Sequence, residues 1–277
     1  MGCIMTLEAP GEGSLDYMPC RYGRSRLLFR GPRRDLSGRF VAVLGGIETY
    51  GRYVRQPYPH LAEQATGTRV VNLGCPSAGP DAWLSDPGLM EVLQKAALTV
   101  IQVPPASDLT NRLYSVHPRR NDRFVKASPI LRSVYRGVDF TDFAFTRHML
   151  RTLFEAGPER FAVVVDELRA AWLSRMDRLL STLPGRKALL WTGHRPPAAR
   201  SDAPLHEPLL VDADMLRSLA PATDGLALAV PTPAALARGT EGMVFPALSE
   251  PAARGLPNAA VHRETATVLA GLIRSLA

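Results

Sequence analysis

Residues 43–51 read VLGGIETYG: an aliphatic run breaks into two glycines and then into a short polar stretch. A buried strand feeding a glycine turn is how α/β proteins bring their backbone close to a ligand, because glycine lacks the Cβ that would hold it off. Gly45 and Gly46 therefore read as ligand-facing, and Glu48 and Thr49 as the nearest side chains able to do chemistry.

Working outward, five apolar runs bounded by turn residues are expected as strands: Phe40–Leu44, Arg69–Leu73, Leu98–Val103, Lys187–Trp191 and Gly225–Val230. They are unbroken rather than alternating, which suits a parallel sheet covered on both faces. Helices are expected between them. The clearest spans Glu159 to Leu183, where Phe161, Val164, Val165, Leu168, Trp172, Met176 and Leu179 recur mostly at spacings of three and four. A last helix over about Asn258–Leu276 carries Val261, Thr265, Val268, Leu269, Leu272 and Ile273 in the same manner.

This order predicts one α/β domain over residues 39–277, preceded by an N-terminal arm, 1–38. Residues 112–158 exceed an ordinary crossover connection and read as a basic helical insertion beside the functional face. Its segment NRLYSVHPRRNDRF brings Arg112, His117, Arg119, Arg120 and Arg123 around a proline turn, with Tyr114 and Phe124 interleaved. Guanidinium groups grip carboxylate, sulfate and phosphate in pairs, so this cluster is a candidate anion site. The alternative is a solvated loop in which Arg119 and Arg120 pair with Asp108, Asp122 or Asp139.

At 277 residues with 46% hydrophobic content the chain can bury a sizeable core, and no window approaches the roughly 18 apolar residues of a membrane span. The start, MGCIMTLEAPGEGSLDY, lacks a basic region followed by an apolar core, so a secretory signal is not expected; a loose arm and a cytoplasmic address are. Met1-Gly2-Cys3 with Thr6 matches only a very short lipidation pattern. Cys3, Cys20 and Cys75 are odd in number and far apart, which reads as reduced thiols. Six histidines show neither His-x-His nor His-Glu-x-x-His spacing, and no glycine-rich nucleotide cradle occurs, so no metal or cofactor is expected. A net charge of +7 points to an anionic partner or substrate; a nucleic acid is disfavoured because no recognised binding motif accompanies the short basic cluster. In the arm, CRYGRSRLLFRGPRR contains Leu27, Leu28 and Phe29, an expected edge strand through which two copies could form a homodimer.

Ligands of an open parallel sheet bind beyond the carboxyl ends of its strands. Those positions hold Gly45 to Tyr50 after the first strand, then Gly74, Cys75, Ser77 and Gly79 after the second. Ser107, Asp108 and Asn111 follow the third, and Thr192, Gly193, His194 and Arg195 the fourth.

This arrangement resembles the SGNH or GDSL hydrolase superfamily, whose members are flavodoxin-like α/β sandwiches acting as esterases, lipases, carbohydrate deacetylases and acyltransferases. VAVLGGIETYG is similar to a strand-Gly-Asp-Ser-x-Thr-x-Gly block, RVVNLGCPSAG to an Asn-Leu-Gly block, and VIQVPPASD to a Gly-x-Asn-Asp block; LPN precedes the last helix. A closer likeness is to an uncharacterised bacterial family with the strings GGxETYGR and HPRRNDRF, which brings no known activity. The superfamily resemblance implies a three-layer sandwich of about five parallel strands. It places the nucleophilic serine on Ile47, the preceding aspartate on Gly46, a glycine oxyanion donor on Gly74 or Gly79, and the asparagine donor on Ser107. The usual aspartate and histidine fall near Ala253 and on Leu256.

An isoleucine cannot attack a carbonyl, so the resemblance carries the fold further than the chemistry. The chain is expected either to act on an anionic or carbohydrate-linked ester with non-standard residues, or to bind an anionic or saccharide ligand without catalysis. Glu48 is the candidate base, Thr49 shares its turn, and Cys75 is a candidate nucleophile with His194 as its activator. His262, with Glu264 two residues on, is a further candidate beside a helix-cap or surface role, and His148 is expected as an interior, hydrogen-bonded residue.

Overall fold

The computed structural model describes residues 13–199 and 208–277. Among the described residues seven strands form, in chain order: β1 (Val41–Gly45), β2 (Val70–Gly74), β3 (Leu98–Gln102), β4 (Tyr114–His117), β5 (Arg120–Ala127), β6 (Arg186–Trp191) and β7 (Gly225–Leu228). Five of them make an all-parallel sheet in the order β2-β1-β3-β6-β7. These are the five runs read from the sequence, each shifted by a residue or two.

Alternation within each strand divides the core between the two faces of the sheet. Val41 and Val43 pack with Val100, Leu190, Leu269 and Ile273 on the side of the helices Tyr58–Thr66 and Ala259–Leu276. Ala42 and Leu44 face Ile101, Leu168, Trp172 and Leu179 on the side of the long helix Pro158–Thr182. The result is a three-layer, flavodoxin-like sandwich. Both ends of the last helix are set as expected: Asn258 caps it, its side chain accepting from the amides of Ala260 and Val261.

The insertion between β3 and β6 is helical only in part. Its cationic stretch is an antiparallel hairpin, β4 with β5, because Tyr114, Val116, Phe124 and Ala127 turn inward while Arg120, Val125 and Lys126 are exposed. Helices follow at Pro129–Val134 and Thr146–Ala156, the first capped by Ser128. The long helix that the sequence did predict serves as the crossover itself.

The arm, where described, is part of the body. Tyr22, Leu27 and Phe29 are buried in the main core, and a single bridge, Cys20 to Phe29, replaces the expected edge strand. Leu27 and Phe29 face inward, while Leu28 is half-buried. The buried Arg30 guanidinium donates to the carbonyls of Tyr50, Gly51, Val54 and Arg55, anchoring the chain just after the glycine turn. The readings made on Met1-Gly2-Cys3 and Thr6, and on the loose start as far as Glu12, lie outside the described residues. Among the described residues no helix is long and apolar enough to cross a membrane.

Candidate functional site

In this strand order the sheet reverses its winding between β1 and β3, and the crevice at their carboxyl ends is where such folds take ligands. The polypeptide there is tied by one side chain. Gln102, the last residue of β3, accepts from the Gly46 amide (3.1 Å) and from the Thr49 hydroxyl through Oε1. Its Nε2 donates to Glu48 Oε2 at 2.9 Å and to Thr192 Oγ1 at 3.1 Å. All its hydrogen-bonding positions are used, so the amide is locked and β1, β3 and β6 are joined at their ends.

Gly45 is required here because a Cβ would strike Thr49 Oγ1 and Gln102 Oε1. Gly74 is required for another reason: a Cβ would lie 2.6 Å from the Thr49 carbonyl carbon and 2.7 Å from Tyr50 Cα, against helical backbone. The helix Ile47–Tyr50 thus sits directly on the end of β2, and Asn72 stitches them together, donating to the Thr49 carbonyl and accepting from the Gly74 amide, both at 2.8 Å.

Behind this turn runs a second, buried chain. Tyr58 donates its hydroxyl to Thr49 Oγ1 at 2.6 Å, since the Thr49 proton is committed to Gln102. The Tyr58 amide donates to His262 Nδ1 at 3.1 Å, and the two rings stack at 5.9 Å. His262 is 2% exposed rather than at the surface; burial, reinforced by the Arg30 charge, pulls its pKa down to about 3, so the ring is neutral.

Near the strand ends Glu48 is joined by two further carboxylates, Asp108 and Asp122. Asp108 follows β3, its Oδ1 accepting from the Ser107 hydroxyl at 2.6 Å and the Thr146 hydroxyl at 3.1 Å. Burial raises its pKa to about 6 against those hydrogen bonds, with Asp122 and Glu48 adding like-charge repulsion. Asp122, on β5, is also raised by burial, while the Ser77 hydroxyl, Arg123 and Arg120 pull the other way. The hairpin is held there by Asn121, which accepts from the amides of Gly79 and Ala82 (each 3.0 Å) and donates its own amide to the Ser77 carbonyl at 2.6 Å. Ser77 adopts left-handed backbone, φ 65°, to make that turn.

The remaining sequence candidates fall on both sides of this picture. Thr49 is fully committed to the structural network. Cys75 is buried and burial pushes its thiol up to about 11, so it is no thiolate near neutrality; no bond joins it to His194, which lies exposed beyond β6. The amides of Gly74 and Gly79 are already bonded to asparagine side chains. Ser107 is buried, its carbonyl accepting from Tyr114 OH at 2.7 Å. Asn111 shapes its own loop, accepting from the amides of Leu113 and Tyr114. Arg112 pairs with Glu167, away from the carboxylates. His117 accepts from the Arg119 amide at the hairpin tip, where Arg119 and Arg120 are exposed; Arg123 lies over the Phe145 ring at 3.9 Å. His148 is exposed, edge-on to Phe143, not interior. Glu264 is likewise committed, accepting from the amide and hydroxyl of Thr232.

Asp108 was read from the sequence only as a position after the third strand, and Gln102 and Asp122 were not singled out as site residues. Gln102 had a signal, a lone amide ending an apolar run; Asp122 had none, since only the hairpin brings it to the strand ends.

Asp108 also makes a stability prediction. Its folded pKa is raised above the unfolded value, so its favourable contribution is complete below about pH 4 and is lost as pH rises through about 6. Because the side chain is partly exposed, Asp108→Asn should stabilise the protein at pH 8 by roughly 1–2 kcal/mol and change little at pH 4. Urea denaturation at the two pH values measures this; an equal effect at both would contradict the assignment.

Fold and strand order together define a doubly wound α/β protein with three neighbouring carboxylates beyond the strand ends at its topological switch point. The chain belongs to the family described as a domain of unknown function, DUF6473, which it matches over residues 5–277. No curated protein matches it.

Proposed function

We propose that the protein is an SGNH-like enzyme that hydrolyses or transfers the acyl group of an anionic or carbohydrate-linked ester by carboxylate acid–base catalysis rather than through a covalent nucleophile. The observation carrying this reading is Asp108, a carboxyl at the switch point whose pKa is raised to about 6 beside Glu48 and Asp122. A base with a pKa just below neutrality removes a proton from water most effectively at neutral pH. Glu48, oriented by Gln102, is the second carboxylate, and Arg119 and Arg120 at the overhanging hairpin tip would meet the substrate's negative charge. Ile47 at the serine position and the protonated Cys75 argue against an acyl-enzyme intermediate.

The test is turnover of p-nitrophenyl acetate and of acetylated uronic acids. Asp108→Asn should lower kcat/KM by about 10²–10³-fold, and wild-type activity should rise as pH passes through about 6. Cys75→Ala should leave the rate unchanged, and Arg119→Gln with Arg120→Gln should raise KM for the charged esters more than it lowers kcat. Equal rates for wild type and Asp108→Asn would remove the proposed base.

A second reading, a non-catalytic anion-binding protein, is favoured by the Gly74 and Gly79 amides, whose bonds to Asn72 and Asn121 leave neither free for an oxyanion. It predicts binding of the charged ester or its acid with no turnover, weakened by the same two arginine substitutions.

A further inference from the structure

The string TYGRY, residues 49–53, begins in the glycine turn with Thr49 and Tyr50 and continues past it. The chain there bends back at Gly51, φ 70°, and Tyr53 also takes left-handed backbone, φ 69°, which a tyrosine adopts only when its surroundings hold it. They do: the Tyr53 amide donates to Tyr17 OH at 3.1 Å, and Phe245 packs edge-on against its ring. The effect is to set Tyr50, Arg52 and Tyr53 around a cleft of about 280 Å³ between the arm, Pro76 and Val244.

The walls of this cleft carry Tyr50, Arg52 and Tyr53. Tyr50 is 8% exposed, yet its hydroxyl bonds to none of the described residues, and the same holds for Tyr53, 4% exposed. The Arg52 guanidinium is exposed, lies 5.1 Å from the Tyr53 ring, and meets no carboxylate among the described residues. Two tyrosines and an arginine lining one cleft are a donor set that an oxyanion can use. Pro76, Val244 and the ring faces supply apolar contact for a small body attached to that anion, and the volume lies at the lower end of ligand pockets.

We propose that this cleft is a second binding site, separate from the carboxylates, for a small organic anion of about one ring in size, its carboxylate or phosphate oxygens held by Arg52, Tyr50 and Tyr53. The site does not depend on the ester chemistry, because its readout is binding alone.

Isothermal titration of the full chain with benzoate, phenyl phosphate and the neutral benzyl alcohol tests it. At least one anion should bind, benzyl alcohol at least about 10-fold more weakly, and Arg52→Gln should weaken the anion by about 10-fold or more. Tyr50→Phe, which removes only the unpartnered hydroxyl, should weaken it several-fold. Binding of benzoate alone assigns a carboxylate, and of phenyl phosphate alone a phosphate. Absence of binding by both anions, equal affinity for benzyl alcohol, or an affinity unchanged in Arg52→Gln would overturn the proposal; Arg52 is exposed, so that variant folds whatever the fate of Tyr50→Phe.

Discussion

Gly74→Ala is expected to destabilise the protein by about 3 kcal/mol and lower Tm by roughly 6–12 °C. The added methyl would meet the main chain of Thr49 and Tyr50, and backbone cannot swing aside as a side-chain tip can. Relief would need the helix Ile47–Tyr50 to lift off β2, breaking the Asn72 bond to the Thr49 carbonyl and disturbing the Gln102 contacts with Gly46, Thr49 and Glu48. Any activity should therefore fall together with stability. Gly271→Ala is the control: it lies exposed within the last helix, nothing stands within 4 Å of its would-be Cβ, and the change should stabilise by about 0.5–1 kcal/mol through helix propensity. Thermal scans of the two variants should move in opposite directions; a neutral Gly74→Ala would mean that the turn is not packed on β2 as described.

His262 gives the other large effect, and it depends on pH. The folded pKa, about 3, lies below the unfolded value near 6.5, so the unfolded chain takes up a proton that the native ring refuses. Stability from this group is complete above pH 6.5 and is lost as pH falls toward 3, amounting to about 3 kcal/mol between pH 7 and pH 4. His262→Ala should cost about 3–4 kcal/mol at pH 7, by losing the ring stacked on Tyr58 and leaving the Tyr58 amide without its acceptor. The same variant should have a flatter acid limb in a plot of unfolding free energy against pH. An acid limb of unchanged steepness would show that His262 is not the group titrating there. Because Tyr58 also supports Thr49, the substitution reaches the glycine turn without touching it.

The central sheet was written in local pattern. Short unbroken aliphatic runs closed by glycine or proline can be satisfied only as strands covered on both sides, and spacings of three and four fixed the helices Pro158–Thr182 and Ala259–Leu276. VLGGIETYG likewise marked the end of β1, which the strand order puts at the switch point. The hairpin was missed because a proline turn among arginines hides the alternation of Tyr114, Val116, Phe124 and Ala127, whose burial depends on the helices beneath. The segment Leu27–Phe29 has an edge strand's composition, and only the core it enters distinguishes the two fates.

The site divides in the same way. Sequence alone determined that Gly45, Gly46 and Glu48 lie at the turn that closes β1 and that Ile47, not a serine, follows the glycines, because these facts are properties of neighbouring residues. Tertiary structure alone decided that Thr49 and His262 are structural, that Cys75 keeps its proton, and that Asp108 stands close enough to Asp122 and Glu48 to feel their charge. The reason is electrostatic: whether a titratable group is charged, bonded or free depends on the burial and the charges around it. Those come from segments as distant as β1, the hairpin and the final helix, which local sequence cannot place beside one another.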